Sequence, residues 1–294
     1  MKSGLPRVPG VKVRMNEELS VHTSFHIGGR ARYFLEVYSK RALVRVLKVI
    51  ANEKLPYYVI GCGTNVLVAD SGLPGAVLRL GGAFKRMNRH GNVFRCGAGV
   101  AIENFLDEAV RVGSRGAEFL AGIPGTLGGA VKGNAGAFGR SIADLIDRVF
   151  LMDEQGAETV RTRNEIAFTY RSSDIGNGYI ITGVSMRLRK GTSRAIRQSI
   201  ERNLAARQKR QPDGYSAGSF FKNPPGRAAG ELIEICGLKG ASVGDAEVSR
   251  KHGNYIINKG HARAVDVLAL AEMIRKTVRM QTGIELEAEV RLLR

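Results

Sequence analysis

Tyr57-Tyr58-Val59-Ile60-Gly61-Cys62-Gly63-Thr64-Asn65-Val66-Leu67-Val68 is the stretch whose reading sets the fold. Two short apolar runs, Tyr57 to Ile60 and Val66 to Val68, flank a glycine loop, the pattern of a strand, a tight turn and a second strand. Upstream, Arg32 to Val37 reads as a strand. Ser39 then caps a segment through Glu53 in which Leu43, Val44, Leu47, Ile50 and Ala51 recur at helical spacing. Pro56 follows the helix end, and a β-α-β unit results. The loop is a poor dinucleotide fingerprint, because Gly61-x-Gly63 lacks the third glycine and opens into an apolar strand rather than a helix. No Walker A sequence occurs either. Two readings stay open: a plain tight turn, or a phosphate-binding loop made from backbone N–H groups with the Thr64 and Asn65 side chains.

Working outward, Val77 to Leu80 and Val93 to Cys96 read as strands. Ile102 to Val112 reads as a helix with Phe105, Leu106, Ala109 and Val110 on one side. Glycine then accumulates in two clusters, Gly122-Ile123-Pro124-Gly125-Thr126-Leu127-Gly128-Gly129 and Gly133-Asn134-Ala135-Gly136, the latter running on through Ala137 to Gly139. This composition predicts one short helix between two loops. Such clusters cost backbone entropy unless close approach of a ligand or of another strand offsets it. Tight sheet packing would explain them, but with the first loop added the balance tips to cofactor binding.

Val149 to Met152, Thr159 to Arg161 and Tyr179 to Leu188 supply further strands. A basic helix from Ser193 to Arg210, stopped by Pro212 and Gly214, leads into the last part of the chain. That part holds a short helix around Ala229 to Cys236, a strand at Tyr255 to Ile257, and a long helix from Ala264 to Gln281 closed by Gly283. Its closing strand carries Ile284, Leu286, Ala288, Val290 and Leu292 on one face and Glu285, Glu287, Glu289 and Arg291 on the other. The expected class is α+β, divided at residues 1–80, 81–200 and 201–294.

The 294 residues are 44% hydrophobic and 24% charged, ordinary for a globular protein of two or three domains. Forty-five Lys and Arg against 27 Asp and Glu give +18, which makes nucleic acid a candidate partner. The charge is spread along the whole length without a nucleic-acid motif, so a solvated basic surface that attracts phosphorylated small molecules is the better reading. Cys62, Cys96 and Cys236 are an odd, widely spaced set, arguing against disulfides and zinc and for small buried side chains. His252 and His261 lack metal-ligand spacing, and no metal is expected. Met1 to Arg14 has no apolar leader core and no stretch reaches membrane-spanning length, so a cytoplasmic location is expected, with no membrane partner.

Two side chains stand out for chemistry. In Gly218-Ser219-Phe220-Phe221-Lys222-Asn223-Pro224 a hydroxyl sits between a glycine and two rings, with neither a nucleophile elbow nor a histidine partner. A hydrolase nucleophile is disfavoured; a proton donor held by its loop competes with a serine that merely turns the chain. In Tyr170-Arg171-Ser172-Ser173 the guanidinium fork suits a carboxylate or phosphate, against the plain reading of a surface arginine.

Taken together, seven spaced motifs resemble the UDP-N-acetylenolpyruvoylglucosamine reductase family. They are His22-Thr23-Ser24-Phe25-x-Ile27-Gly28-Gly29, Gly61-x-Gly63-Thr64-Asn65-x-Leu67-Val68, Gly122-Ile123-Pro124-Gly125, Asn134-Ala135-Gly136-Ala137, Tyr170-Arg171-x-Ser173, Gly218-Ser219-x-Phe221 and Glu289-Val290-Arg291. The resemblance runs from about residue 15 onward. Pro224-Pro225-Gly226 and Val248-Ser249-x-x-His252 look like the shorter, type II form, while Ala288 departs from the usual proline. The resemblance implies a two-subdomain FAD-binding fold similar to the vanillyl-alcohol oxidase group, followed by a C-terminal α+β substrate-binding domain. It implies non-covalent FAD held by Gly61, Cys62, Gly63, Thr64, Asn65, Leu67, Gly122, Ile123, Pro124, Gly125, Gly128, Gly129, Asn134, Ala135, Gly136 and Ala137. NADPH would enter the same cleft as UDP-N-acetylglucosamine enolpyruvate, so no separate dinucleotide domain is needed. Arg171 would pair with the substrate carboxylate, Glu289 would help hold the enediolate-like intermediate, and Ser219 would protonate carbon two. Tyr170, Arg210, Gly218 and Asn223 would contact the substrate. A monomer is expected. An alcohol or lactone oxidase on the same cofactor fold and a nucleic-acid-binding protein on an inactive scaffold are the rival readings.

Overall fold

The computed structural model describes residues 5–294; the first four positions of the Met1–Arg14 stretch lie outside them. The chain forms two compact units. One takes the described residues up to Met15, Tyr33–Gly61 and Gly75–Arg207; the other takes Asn16–Arg32, Cys62–Pro74 and Gln208–Arg294. Each has its own apolar core.

In the first unit a four-stranded sheet runs in the order Val11–Glu18, Arg30–Val37, Leu73–Leu80, Tyr57–Ile60. Its last two strands are parallel, with Tyr57 opposite Ala76 and Ile60 opposite Arg79. Helix α1, Lys40–Asn52, starts where Ser39 accepts the N–H of Ala42 at 3.2 Å, the side-chain cap expected of a serine at this position. Its Leu43, Val46, Leu47 and Ile50 are buried and join Leu35, Val37 and Leu78 in the core. A five-stranded antiparallel sheet follows, ordered Glu158–Thr162, Ile146–Asp153, Tyr179–Arg187, Val93–Gly97, Met87–His90. The central strand is buried from Ile180 to Met186 on both faces, as a strand covered on two sides must be. Helix α2, Ile102–Arg111, buries Phe105, Leu106 and Ala109, and the glycine-rich stretch contains the short helix α3, Leu127–Lys132. Along α4, Ser193–Arg210, Ile196 is buried and Ile200 and Leu204 pack half-buried on the same core.

The second unit packs α5, Ala229–Ile235, and α6, Ala264–Thr282, with a three-stranded antiparallel sheet of Ser242–Val243, Ala246–Val248 and Ile256–Asn258. Helix α6 has no side-chain cap of its own beyond Asp266. Asp70, far upstream, supplies one, accepting the N–H of Ala264 at 2.7 Å and of Val265 at 3.0 Å. Gly283 ends the helix at φ 72°, the left-handed conformation that glycine adopts without steric cost. Phe25, Ile27 and Leu67 from the early motifs pack with Phe220, Phe221, Leu232 and Ile274 in this unit's core.

Tyr57–Ile60 and Val66–Val68 are both strands as expected, the first pairing with Leu73–Leu80 and the second running parallel to Arg291–Leu293. Two expectations change. The closing strand is a ladder only at Arg291–Leu293, with a single bridge between Ala288 and Phe221. Of the three cysteines only Cys96 is buried, and burial pushes its thiol up to about 12. Cys236 is half-buried, and Cys62 is exposed on its loop.

Candidate active site

Arg171 sits in the first unit, in the two-residue turn between the paired strands Phe168–Thr169 and Ser172–Ser173. Its φ is 56°, a left-handed conformation that costs a non-glycine residue on the order of 1 kcal/mol and persists only where surrounding contacts enforce it. Those contacts are present. The Arg171 Nη1 donates to the Gly136 carbonyl at 2.8 Å, and the guanidinium lies 5.4 Å from the Tyr170 ring. Buried Asn134, itself at φ 44°, donates to the Thr169 carbonyl at 2.8 Å and accepts the Ala143 N–H at 3.4 Å. Ser173 donates to the Lys132 carbonyl at 2.9 Å, and Lys132 returns bonds to the Ile175 and Gly176 carbonyls. The arginine turn and the Asn134-Ala135-Gly136-Ala137 segment are therefore one fastened piece, with Tyr170 exposed at its edge.

The glycine loops keep side chains away from the backbone. A Cβ on Gly61 would lie 2.5 Å from the Thr126 hydroxyl oxygen, and one on Gly128 would lie 2.8 Å from the Ala98 Cβ. Gly122 and Gly125 are at φ 73° and 136°, turns that leave Ile123 and Pro124 between two flexible corners. Thr126 caps α3 by accepting the Gly129 N–H. In the second unit the Cβ of a substituted Gly63 would come within 2.1 Å of the His22 carbonyl, which places the Cys62-Gly63-Thr64-Asn65 turn directly against the His22-Thr23-Ser24 motif. In each unit, taken by itself, the loops offer backbone N–H groups and small hydroxyls, with an amide from Asn65 in the second, donor chemistry that fits the pyrophosphate of FAD.

Ser219 and Glu289 are both in the second unit, on two extended segments that share a short antiparallel pairing. The Glu289 N–H donates to the Phe220 carbonyl at 2.8 Å, the Lys222 N–H donates to the Glu287 carbonyl at 2.8 Å, and Phe221 bridges Ala288. The glycine loop reaches the same place. Asn65 Nδ2 donates to the Glu289 carbonyl at 3.3 Å, and the Arg291 N–H donates to the Asn65 carbonyl at 3.1 Å. Gly218, at φ 80°, turns the chain just ahead of the serine. Leu67 is buried, Arg210 is exposed at the end of α4, and exposed Asn223 accepts the Ala229 N–H at the start of α5.

One residue in this arrangement carries no motif of its own. Buried Asn254 accepts the Phe221 N–H and donates to the Phe221 carbonyl, both at 2.8 Å, while its own carbonyl accepts the Phe220 N–H at 2.8 Å. It grips both rings' backbone immediately after Ser219. The signal was a lone asparagine between His252 and Tyr255, next to the predicted strand and without a distinguishing spacing.

Comparison with known proteins places these pieces. Residues 31–162 match the FAD binding domain family, and residues 210–293 match the C-terminal domain of UDP-N-acetylenolpyruvoylglucosamine reductase. UDP-N-acetylenolpyruvoylglucosamine reductase 2 of Symbiobacterium thermophilum is 42% identical over 288 residues, covering 97% of this chain and 93% of its own. The reductase of Syntrophotalea carbinolica is 41% identical, with 96% and 94% covered. The chain belongs to the UDP-N-acetylenolpyruvoylglucosamine reductase family. Among solved structures, the family's enzyme from Thermus caldophilus superposes with a TM-score of 0.84 at 38% identity, covering 97% of this chain and 99% of that one. The FAD-binding match contains α1, α2 and α3 with their glycine loops, whereas the reductase C-terminal match contains α5, α6, Ser219, Asn254 and Glu289.

Proposed function

We infer that this family member is an FAD-containing, NADPH-dependent oxidoreductase, a UDP-N-acetylmuramate dehydrogenase that reduces UDP-N-acetylglucosamine enolpyruvate to UDP-N-acetylmuramate in peptidoglycan precursor synthesis. The observation that carries this reading is about 40% identity to reductases along nearly the whole chain. The chemistry the flavin supplies when bound is hydride transfer, from NADPH and on to the terminal carbon of the enolpyruvyl ether. Residues 1–80 and 81–200 act as the two FAD-binding subdomains, and residues 201–294 as the substrate-binding domain.

The chain's own groups must manage the charge and the proton. Negative charge develops on the carbon next to the hydride acceptor and on its carboxylate. Arg171 pairs with that carboxylate through two guanidinium donors, and its fastened turn means little reorganisation is needed when the charge appears. Ser219 gives its hydroxyl proton to the carbon, and Glu289 helps hold the intermediate. Tyr170, Arg210, Gly218 and Asn223 bind the rest of the substrate. We further propose that the protein acts as a monomer in the cytoplasm; among the described residues no helix is long and apolar enough to cross a membrane.

Purified protein is mixed first with NADPH and then with the enolpyruvyl sugar while the yellow flavin absorbance is followed. Bleaching by NADPH and recovery on adding the sugar, in the absence of oxygen, is the expected result. Recovery that depends on oxygen and ignores the sugar would move the protein to the oxidases.

A further inference from the structure

On the first unit lies a cavity of about 520 Å³ lined by Arg115, Arg140, Arg187, Arg189, Glu118 and Asp144 among others, beside the Gly136–Ala137 strand that pairs with Arg140–Ser141. Its residues come from separate elements: the paired strands Ser114–Arg115 and Arg189–Lys190, the Arg140–Ser141 strand with the turn that follows it, the end of Tyr179–Arg187, and α4. Four guanidiniums meet two carboxylates here; Asp144 pairs with Arg140 at 3.8 Å, and both carboxylates also accept backbone N–H groups. Glu118 accepts the Gly116 N–H at 2.7 Å and Asp144 accepts the Ser141 N–H at 3.0 Å, each ordering a local turn.

The arginines are placed rather than scattered. Arg115 and Arg189 stand directly opposite each other in the antiparallel ladder, an arrangement in which like charges destabilise the pair. No ion pair joins either of them to a carboxylate among the described residues. Gly191 lies beneath Arg115, so closely that a Cβ there would sit 3.1 Å from the Arg115 Cβ and 3.2 Å from its Cγ and Cδ. Arg140 is steered by a bond to the Gly116 carbonyl at 2.8 Å and by the Phe119 ring at 4.9 Å. Arg187 reaches Asp147 at 3.4 Å.

We propose that this cavity binds a compact polyphosphate group, as carried by a nucleoside triphosphate or by inorganic tripolyphosphate, at a site separate from the FAD and substrate sites. A concave wall of planar donors suits several phosphate oxygens at once, and a bound polyanion removes the repulsion built into the Arg115–Arg189 pair. The volume lies in the range of small-molecule sites, which favours a small ligand over an extended nucleic-acid strand.

The test is titration of FAD-loaded protein with tripolyphosphate, ATP and inorganic phosphate by calorimetry, on wild type, Arg115→Ala/Arg189→Ala and a control of equal charge loss, Arg41→Ala/Lys48→Ala. Saturable binding of tripolyphosphate, weakened roughly tenfold or more in the cavity variant and little changed in the control, is expected. ATP binding as tightly as tripolyphosphate assigns the site to nucleotides, and tripolyphosphate binding alone assigns it to the free anion; both support the site. Without ligand, the cavity variant should melt at the same temperature as wild type or higher, and its FAD content and reductase rate should be unchanged. Equal weakening in both variants would reduce the effect to overall charge. Unchanged binding in the cavity variant would place the anion elsewhere, including the sugar-nucleotide site, and absence of saturable binding would remove the site; each overturns the proposal.

Discussion

At the scale of single residues, two of the groups proposed to act on the substrate are supported in different ways. Arg171 is fixed by a strained turn and several bonds around it, whereas Ser219 is fixed through its neighbours, Phe220 and Phe221, whose backbone Asn254 holds. Ser219→Ala should leave flavin reduction by NADPH nearly unchanged and slow reoxidation by the enolpyruvyl sugar by roughly 10²- to 10⁴-fold, the usual worth of a positioned proton donor. Rapid-mixing measurement of the two half-reactions checks this, and equal slowing of both would remove the serine from that role. Asn254→Ala strips partners from a buried N–H and carbonyl, so it should cost about 1–3 kcal/mol of stability by denaturant unfolding. It should also slow reoxidation more than reduction, with Asn254→Asp intermediate because it keeps the acceptor. Ser219 was legible because it lies in a motif; Asn254 was not, because its role depends on a pairing with residues more than thirty positions earlier.

At the scale of elements, local signals translated well. Ser39 caps α1, Gly283 ends α6, and the glycine-rich stretch folds to one short helix, since each rests on contacts within a few residues. The closing segment shows where local reading stops. Its alternation holds at Leu286 and Val290, which are buried, and at Glu285 and Glu287, which are exposed, but breaks at exposed Ala288 and half-buried Glu289. Yet its backbone bonds go first to the Phe220–Lys222 segment and then to Asn65 and the Val66–Val68 strand, so no continuous ladder forms. A change of partner midway leaves no trace in hydropathy. The same is true of Asp70, whose carboxylate caps α6 from 194 positions upstream. Asp70→Ala should destabilise the protein by about 1 kcal/mol, with Asp70→Asn closer to wild type, in urea unfolding. An unchanged midpoint for the alanine variant would show that the cap carries no net stability.

At the scale of the whole molecule, the second unit draws residues 16–32 and 62–74 from the first part of the chain. Phe25, Ile27 and Leu67 explain it: apolar side chains in motifs otherwise rich in glycine and polar residues need a core, and they find it with α5 and α6. That unit also carries the titration expected to show first in acid. Burial holds the His252 ring below its ordinary value of 6.5, with the charges of Lys239 and Arg210 acting the same way and Glu234 against them. The neutral ring is the form that fits, since its Nδ1 accepts the Asn254 N–H at 3.1 Å. The unfolded chain therefore binds a proton that the folded one refuses, so this contribution is complete above about pH 6.5 and is lost as pH falls through the depressed value. A second loss follows at lower pH. Asp266, held down by the Arg263 backbone N–H, and Glu108, held down by Arg111, are below their ordinary 3.8 and 4.5 in the folded state, so their contribution is present above those values and disappears beneath them. Unfolding midpoints between pH 8 and pH 3 should accordingly fall in two stages, and His252→Gln should flatten the upper stage while leaving the lower one in place. An identical upper stage in the variant would assign that loss to another group.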